Sequence, residues 1–410
     1  MNNLEQYIAL NPVLEGLRQK GKTSFANQGI PTPKNESFKY TKFRELNLDN
    51  FVFAKQEHHQ CTCHKQTNIL GFDAYEVVFC NGNLCHRHFH TPDKIEIISL
   101  IDAIKDKAVQ KYLNKSFDMN GFPFAALNTS YLEQGLFIRV AKDYVADKPI
   151  ALIYHVNSDN KYFCNIHNVI VLESNANVDL VEYYYHTGDI KAEYFNNIVN
   201  EFFISKNATL NHYKVQNDAF KAFHIALNVA NVKLQAKYES FCLQKGANLA
   251  RNETIVNLLE EKAQTEVNGA YVINGWANID TTTQIRHLHS DTSSSQLVKG
   301  VAGGYAKGVF QGKIHIAPNA DKTNGYQLHK ALLISDEASI NVKPELEIFA
   351  DDVKCYHGST CGEIDKEQMF YLRSRGISEQ NAKQILIEAF INELFDKLKN
   401  SSIIKWLKSF

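Results

Sequence analysis

The sequence predicts a mainly β protein, a long strand-rich core flanked by α-helical segments at both ends. Three observations carry that prediction. From about Gly135 to Phe349, short runs of alternating apolar and polar residues recur between Asn, Ser, Gly and Asp turns. Many of these runs open on a small residue, a polar one and then an apolar one, as in Ala176-Asn177-Val178, Ala208-Thr209-Leu210, Ala247-Asn248-Leu249 and Ala338-Ser339-Ile340. Helical spacing of apolar residues occurs only before and after this stretch. A small residue at a tight corner followed by alternation suits a stacked coil of strands. The spacing between units is irregular, however, so the pattern alone leaves a solenoid and a sandwich both open.

Taken in order, the chain divides into a helical and mixed region over 1–120, a strand core over 121–350, and a strand or turn followed by helices over 351–410. Leu4, Ile8, Leu14 and Leu17 predict an opening helix, which Pro31-Thr32-Pro33 breaks. A second helix is expected from Leu100 to Leu113, ahead of Phe122-Pro123. In the tail, Asp365 is placed to cap a short helix that ends at Gly376, a residue suited to a left-handed stop. Ser378 then caps a longer helix, in which Ala382, Ile385, Leu386, Ala389, Phe390 and Leu394 form a single apolar stripe. A short basic and apolar end, Ile403 to Phe410, follows.

Composition excludes several classes of function. In 410 residues, 44 Lys and Arg stand against 45 Asp and Glu, so no net field draws the chain onto nucleic acid or an anionic membrane. No apolar run approaches the ~20 residues that cross a bilayer, and the opening residues lack the pattern of a secretory signal. The eight cysteines are scattered through a large chain, which reads as reduced thiols in a cytoplasmic protein rather than a disulfide scaffold.

The residues richest in chemistry lie between Pro344 and Ile377. Cys355, His357 and Cys361 are soft or borderline ligands of the kind that hold iron, zinc or copper(I). A strand would point Cys355 and His357 to the same face, because side chains alternate with period two. Two ligands on one face make half a site, which something else must complete. Asp351 and Asp352 would fall on opposite faces of a strand and read as solvated turn residues. A second concentration, His58, His59, Cys61, Cys63, His64, Cys80, Cys85, His86, His88 and His90, contains no matched pair of Cys-x2-Cys units and has poor zinc spacing. The glycine-rich run from Gly300 to Lys313 lacks the phosphate-loop pattern and the dinucleotide-fold context, and tight turns between coils explain it. No catalytic constellation stands out. His155, His212 and His224 read as structural, and His287 and His289 only slightly less so.

Ala350 to Ser378, with its ADDVKC-x-HG-x-T run followed by IDKEQMFYLRSRGIS, resembles the C-terminal signature of SufD in the SufB/SufD family of iron–sulfur cluster assembly subunits. Gly29 to Leu46, Phe124 to Tyr131, Gly246 to Glu253 and Lys307 to Gln327 resemble further segments of that family. The resemblance implies a right-handed parallel β-helix core, which favours the solenoid. It implies a non-catalytic scaffold that pairs with SufB, with a nascent Fe–S cluster formed at the shared interface. Cys355 and His357 sit where SufD proteins carry a cysteine and a functionally important histidine. Cys361 departs from the family pattern and stays a candidate third ligand. The resemblance also implies that the C-terminal helix docks the SufC ATPase, through Ile385, Leu386, Ala389, Phe390 and Leu394. A reduced flavin belongs to the assembled complex in this family, but no residue here locates it. No cofactor is expected in the isolated chain, and an open flank favours a homodimer when it is alone. Three rivals remain: a SufB-like paralogue, whose acidic-His-acidic pattern is missing here; a β-helix enzyme acting on polysaccharide; and a free-standing metal module on residues 58–90.

Overall fold

A computed structural model describes residues 11–54, 69–88, 91–157 and 160–410. Its strands are β1 (Tyr75–Cys80), β2 (Asn83–His88), β3 (Ile95–Ser99), β4 (Leu136–Val140), β5 (Ile150–Val156), β6 (Phe163–Leu172), β7 (Asn177–His186), β8 (Phe195–Ile204), β9 (Thr209–Asp218) and β10 (Phe223–Val232). There follow β11 (Lys237–Gly246), β12 (Leu249–Leu258), β13 (Gln264–Ile273), β14 (Asn278–His287), β15 (Ser293–Ala302), β16 (Lys307–Ile316), β17 (Thr323–Leu333), β18 (Ser339–Ile348) and β19 (Val353–Glu363).

From β4 onward, successive strands alternate between two sheets. One has ten strands in the order β19-β17-β15-β13-β11-β9-β7-β5-β1-β2, the other nine in the order β18-β16-β14-β12-β10-β8-β6-β4-β3. Every pairing is parallel except β1 with β2 and β3 with β4. The core is therefore a parallel β-solenoid of about eight turns, which settles the choice against a sandwich. Phe163, Phe195, Phe223, Leu249, Asn278, Lys307 and Ser339 stand directly over one another in register.

Corner chemistry explains why the small-polar-apolar units fold this way. Asn175, Asn207, Gln235 and Lys262 adopt left-handed backbone angles at successive turns, with φ of 62°, 58°, 55° and 59°. Asparagine tolerates that region better than most residues, because its short amide can bond locally. The Asn207 amide donates to Asn175 Oδ1 at 2.9 Å, tying one turn to the next. Ala176, Ala208, Ala236 and Ala263 follow and are buried, where a larger side chain would block the bend. Between the sheets lie stacked Ile, Leu and Val with Tyr154 flat against Tyr184 at 4.3 Å.

The glycine-rich run differs from the expectation. Gly304, with φ of 60°, does sit at a turn, but Gly300, Gly308 and Gly312 lie within β15 and β16. A Cβ on Gly300 or Gly308 would strike the Tyr271 ring, and one on Gly312 would strike the Gln327 amide. Glycine is required there to make room for large inward side chains.

At the N-terminal end, helix α1 (Pro12–Gln28) starts on the Asn11 cap with proline at its first position. Leu4 and Ile8 lie outside the described residues. The expected helix over Leu100 to Leu113 splits into α2 (Leu100–Ala103) and α3 (Lys107–Gln110), because Ser99 and Asp106 each cap a fresh start. Helix α4 (Pro123–Ser130) meets α1 so closely at Gly21 that a Cβ there would come within 2.7 Å of Ser130 N.

The tail forms α5 (Lys366–Ser374), α6 (Glu379–Asn392) and α7 (Ser401–Leu407). Asp365 caps α5, Gly376 turns with φ of 83°, and Ser378 caps α6, all as the sequence predicts. Ile391, Leu394, Phe395, Ile403 and Leu407 then bury against Tyr213, Phe241, Leu243 and Leu297 on the outer face of the ten-stranded sheet. No helix among the described residues is long and apolar enough to cross a membrane.

Candidate functional site: the open last coil

Strand β19 pairs with β17 alone and forms one margin of the ten-stranded sheet. Alternation along β17 buries Thr323, Gly325, Gln327, His329 and Ala331, which fixes the inward side of that rung. The parallel register sets Cys355 over Gly325, His357 over Gln327, Ser359 over His329 and Cys361 over Ala331. Cys355, His357 and Cys361 therefore share the inner face of the final coil, with no further coil above them.

Each position has its own environment. Cys355 is half-buried beside Ile314, Leu346 and Val353, and Gly325 leaves space for its sulfur. Burial pushes the Cys355 thiol up from its ordinary value, against a smaller lowering by the Gly325 N–H. Desolvation pushes the Cys361 thiol up as well, although that side chain is exposed. His357 is exposed. On the outer side of the same strands, Tyr356 stacks on Tyr326 at 5.4 Å. Thiols and an imidazole on an open face suit a borderline metal, whose uptake would displace the thiol protons. Among the described residues, no three His, Cys, Asp or Glu side chains converge to hold a metal ion.

Asp351 and Asp352 lie in an exposed bend ahead of β19 rather than in a strand, and the Asp352 carbonyl accepts from Lys322 N at 2.6 Å. Sequence reasoning missed Ser359, which the same period of two would have found between His357 and Cys361.

The apolar stripe of α6 divides. Leu394, just past the helix, is fully buried on the solenoid's own sheet, and Phe390 is half-buried in the same contact. Leu386 is half-buried, whereas Ile385 and Ala389 are exposed. Phe370 and Tyr371 on α5 are exposed at 74% and 57%, so the unused apolar surface lies on α5 and one side of α6. Buried Lys299 binds the Phe390 carbonyl and the Glu393 carboxylate, fixing the end of α6 to β15. Asn400 donates to Asp179 Oδ2 at 2.8 Å, fixing the start of α7 to β7.

His155 bonds Thr187 Oγ1 at 2.8 Å, His212 contacts Glu182 and Tyr238, and His224 lies 3.0 Å from Asp218. His287 is buried between Thr292 and Ser294 hydroxyls, while His289 is exposed at a turn. Cys80 and Cys85 lie on the β1–β2 hairpin. His58, His59, Cys61, Cys63, His64 and His90, with the side chains of His86 and His88, lie outside the described residues.

The fold is thus a parallel β-solenoid that leaves Cys and His on an open terminal coil, with helices clamped along one sheet. Comparison with known proteins gives the family. Residues 154–390 match the model for the SUF system FeS cluster assembly SufBD core domain, and residues 4–152 match the SufBD protein N-terminal region. The chain belongs to the SufBD family. It is 29% identical to an iron–sulfur cluster assembly SufBD family protein of Synechocystis sp., over 95% of this chain and 89% of that one. It is 29% identical to the iron–sulfur cluster assembly protein SufD of Escherichia coli, over 92% and 87%. The SufD of Bacillus subtilis is 28% identical over 73% of this chain and 69% of its own.

Proposed function

We propose that this chain is a SufD-type scaffold subunit of the SUF machinery, working in the cytoplasm, that lends half of a cluster-building site to a SufB-type partner. The observation that carries the reading is the placement of Cys355 and His357 on the inner face of an uncovered terminal coil. The nascent Fe–S cluster is cargo. It sits between this half-site and ligands from the partner, since mixed imidazole and thiolate ligation suits iron in such clusters. Cys361 stands on the same face as a third candidate. A SufC-type ATPase docks on α5 and the exposed side of α6. Its nucleotide-driven movement reaches the sheet through the Lys299–Glu393 and Asn400–Asp179 ties. The chain itself turns nothing over.

The test is co-expression with the SufB and SufC of the same organism, then anaerobic cluster spectroscopy of the purified complex, wild type against His357→Ala. The expected result is a complex that still assembles and has lost its cluster signal. A chain that binds neither partner, or a cluster indifferent to the substitution, defeats the reading.

A further inference from the structure

The space between the two sheets contains more polar chemistry than a solenoid core requires, and it is incompletely paired. On the inward face of β11, Ser240 and Cys242 retain solvent-accessible surface although they point away from the exterior. Their outward neighbours Phe241 and Leu243 are the ones buried under the C-terminal helices. Ser240 and Cys242 are only part-buried, which points to unfilled space beside them on this inward face. In register, Cys242 pairs with Gly269 on β13 and with Lys214 on β9.

The inward residues around this position are polar and have spare capacity. The Lys214 ammonium is buried, donates to Asn252 Oδ1 at 3.0 Å and sits 4.8 Å from the centre of the Tyr184 ring. An ammonium carries three N–H donors, so two remain for other partners. Gln244 accepts from Thr281 through Oε1, and Gln296 accepts from Thr283 in the same way, yet Nε2 of each is buried without a partner. Further along the axis Gln327 Oε1 and His329 Nδ1 are also buried and unpaired, directly beneath His357 and Ser359. Buried polar groups left unpaired are costly, and polar cavities of sufficient size hold ordered water, whereas apolar ones stay dry.

We propose that the solenoid encloses a water-filled polar chamber centred on Lys214, Ser240 and Cys242, from which ordered water extends along the axis towards the coil beneath His357. Its ligand is water, held by the ammonium and by the free glutamine amides. Cys242 opens into this chamber, so its thiol meets water and small uncharged solutes but not bulky reagents. The inference stands independently of any partner at the open coil.

A crystal structure of the isolated chain, at a resolution that reveals bound solvent, decides it. Ordered water within hydrogen-bond distance of Lys214 Nζ, Gln244 Nε2 and Gln296 Nε2 is expected. A dry interior, or amides paired with other protein atoms, overturns the proposal. In solution, intact-mass analysis of the native protein with methyl methanethiosulfonate should show Cys242 labelled, assigned by the loss of that adduct in Cys242→Ser. A bulky maleimide should label Cys361 and spare Cys242. Cys242 untouched by the small reagent until the protein unfolds counts against the chamber.

Discussion

Gly300 and Gly16 make opposite predictions from the same side-chain change. Replacing Gly300 with alanine drives a methyl into the Tyr271 ring, whose hydroxyl is already held by His329 at 3.0 Å. Overpacking of this kind costs about 1–3 kcal/mol and should lower the melting temperature clearly. Gly16 lies in α1 with nothing within 4 Å of the added methyl, so Gly16→Ala should stabilise by about 0.5–1 kcal/mol through backbone entropy. Paired thermal melts check both. At this scale the sequence was legible wherever the signal was local: Asp365 and Ser378 cap as their spacing predicts. The demand for glycine at 300, 308 and 312 was not legible, because it is set by Tyr271 and Gln327, which are distant in sequence.

Between elements, one buried cation holds the N-terminal strap to the solenoid. Arg251 on β12 donates to the Ser37 carbonyl at 3.0 Å and to Asp280 at 2.6 Å, and it packs over Phe38. Thr41 bonds the same Asp280 carboxylate. Arg251→Met should cost about 3–5 kcal/mol, since it strands a buried carboxylate. It should also speed proteolysis of residues 30–50, followed by gel or mass spectrometry. The C-terminal helices give a cleaner separation. Leu394→Ala removes a fully buried side chain and should destabilise by about 2–5 kcal/mol. Ile385→Ala should leave the melt within ~0.5 kcal/mol of wild type, as exposed substitutions do, while weakening SufC capture in a pull-down. The stripe itself was readable from spacing. Which part of it faces inward was not, because an apolar stripe records burial without naming the surface that provides it.

For the whole molecule, buried neutral histidines contribute to the loss of stability in acid. Burial lowers His155 and His329 to about 4 and His287 to about 3, and nearby His186 and His315 lower His155 and His287 a little further. These groups bind protons more weakly folded than unfolded. Their contribution is full above ~6.5, the ordinary histidine value, and is lost as pH falls towards 4, by on the order of 3 kcal/mol for each. Urea melts from pH 7.5 to 4.5 should show this decline, and His329→Gln should make it shallower. The solenoid could not be read from periodicity because its coils differ in length. Phe195 stacks on Phe163 and Leu249 on Phe223 across unequal stretches of chain, so no fixed repeat exists to detect.

The two ends of the solenoid are not equivalent. At one, both sheets finish on short strands, β2 and β3, that run against all the others. At the other, both finish on full-length strands, β18 and β19, with their outer backbone unpaired. If pairing runs through the long-stranded tip alone, the rod has a valence of one. Joined tip to tip, two such rods leave only blunt ends facing outward, so growth stops at a pair and never becomes a filament. Sedimentation of the isolated chain over rising concentration should accordingly pass from monomer to dimer and go no further.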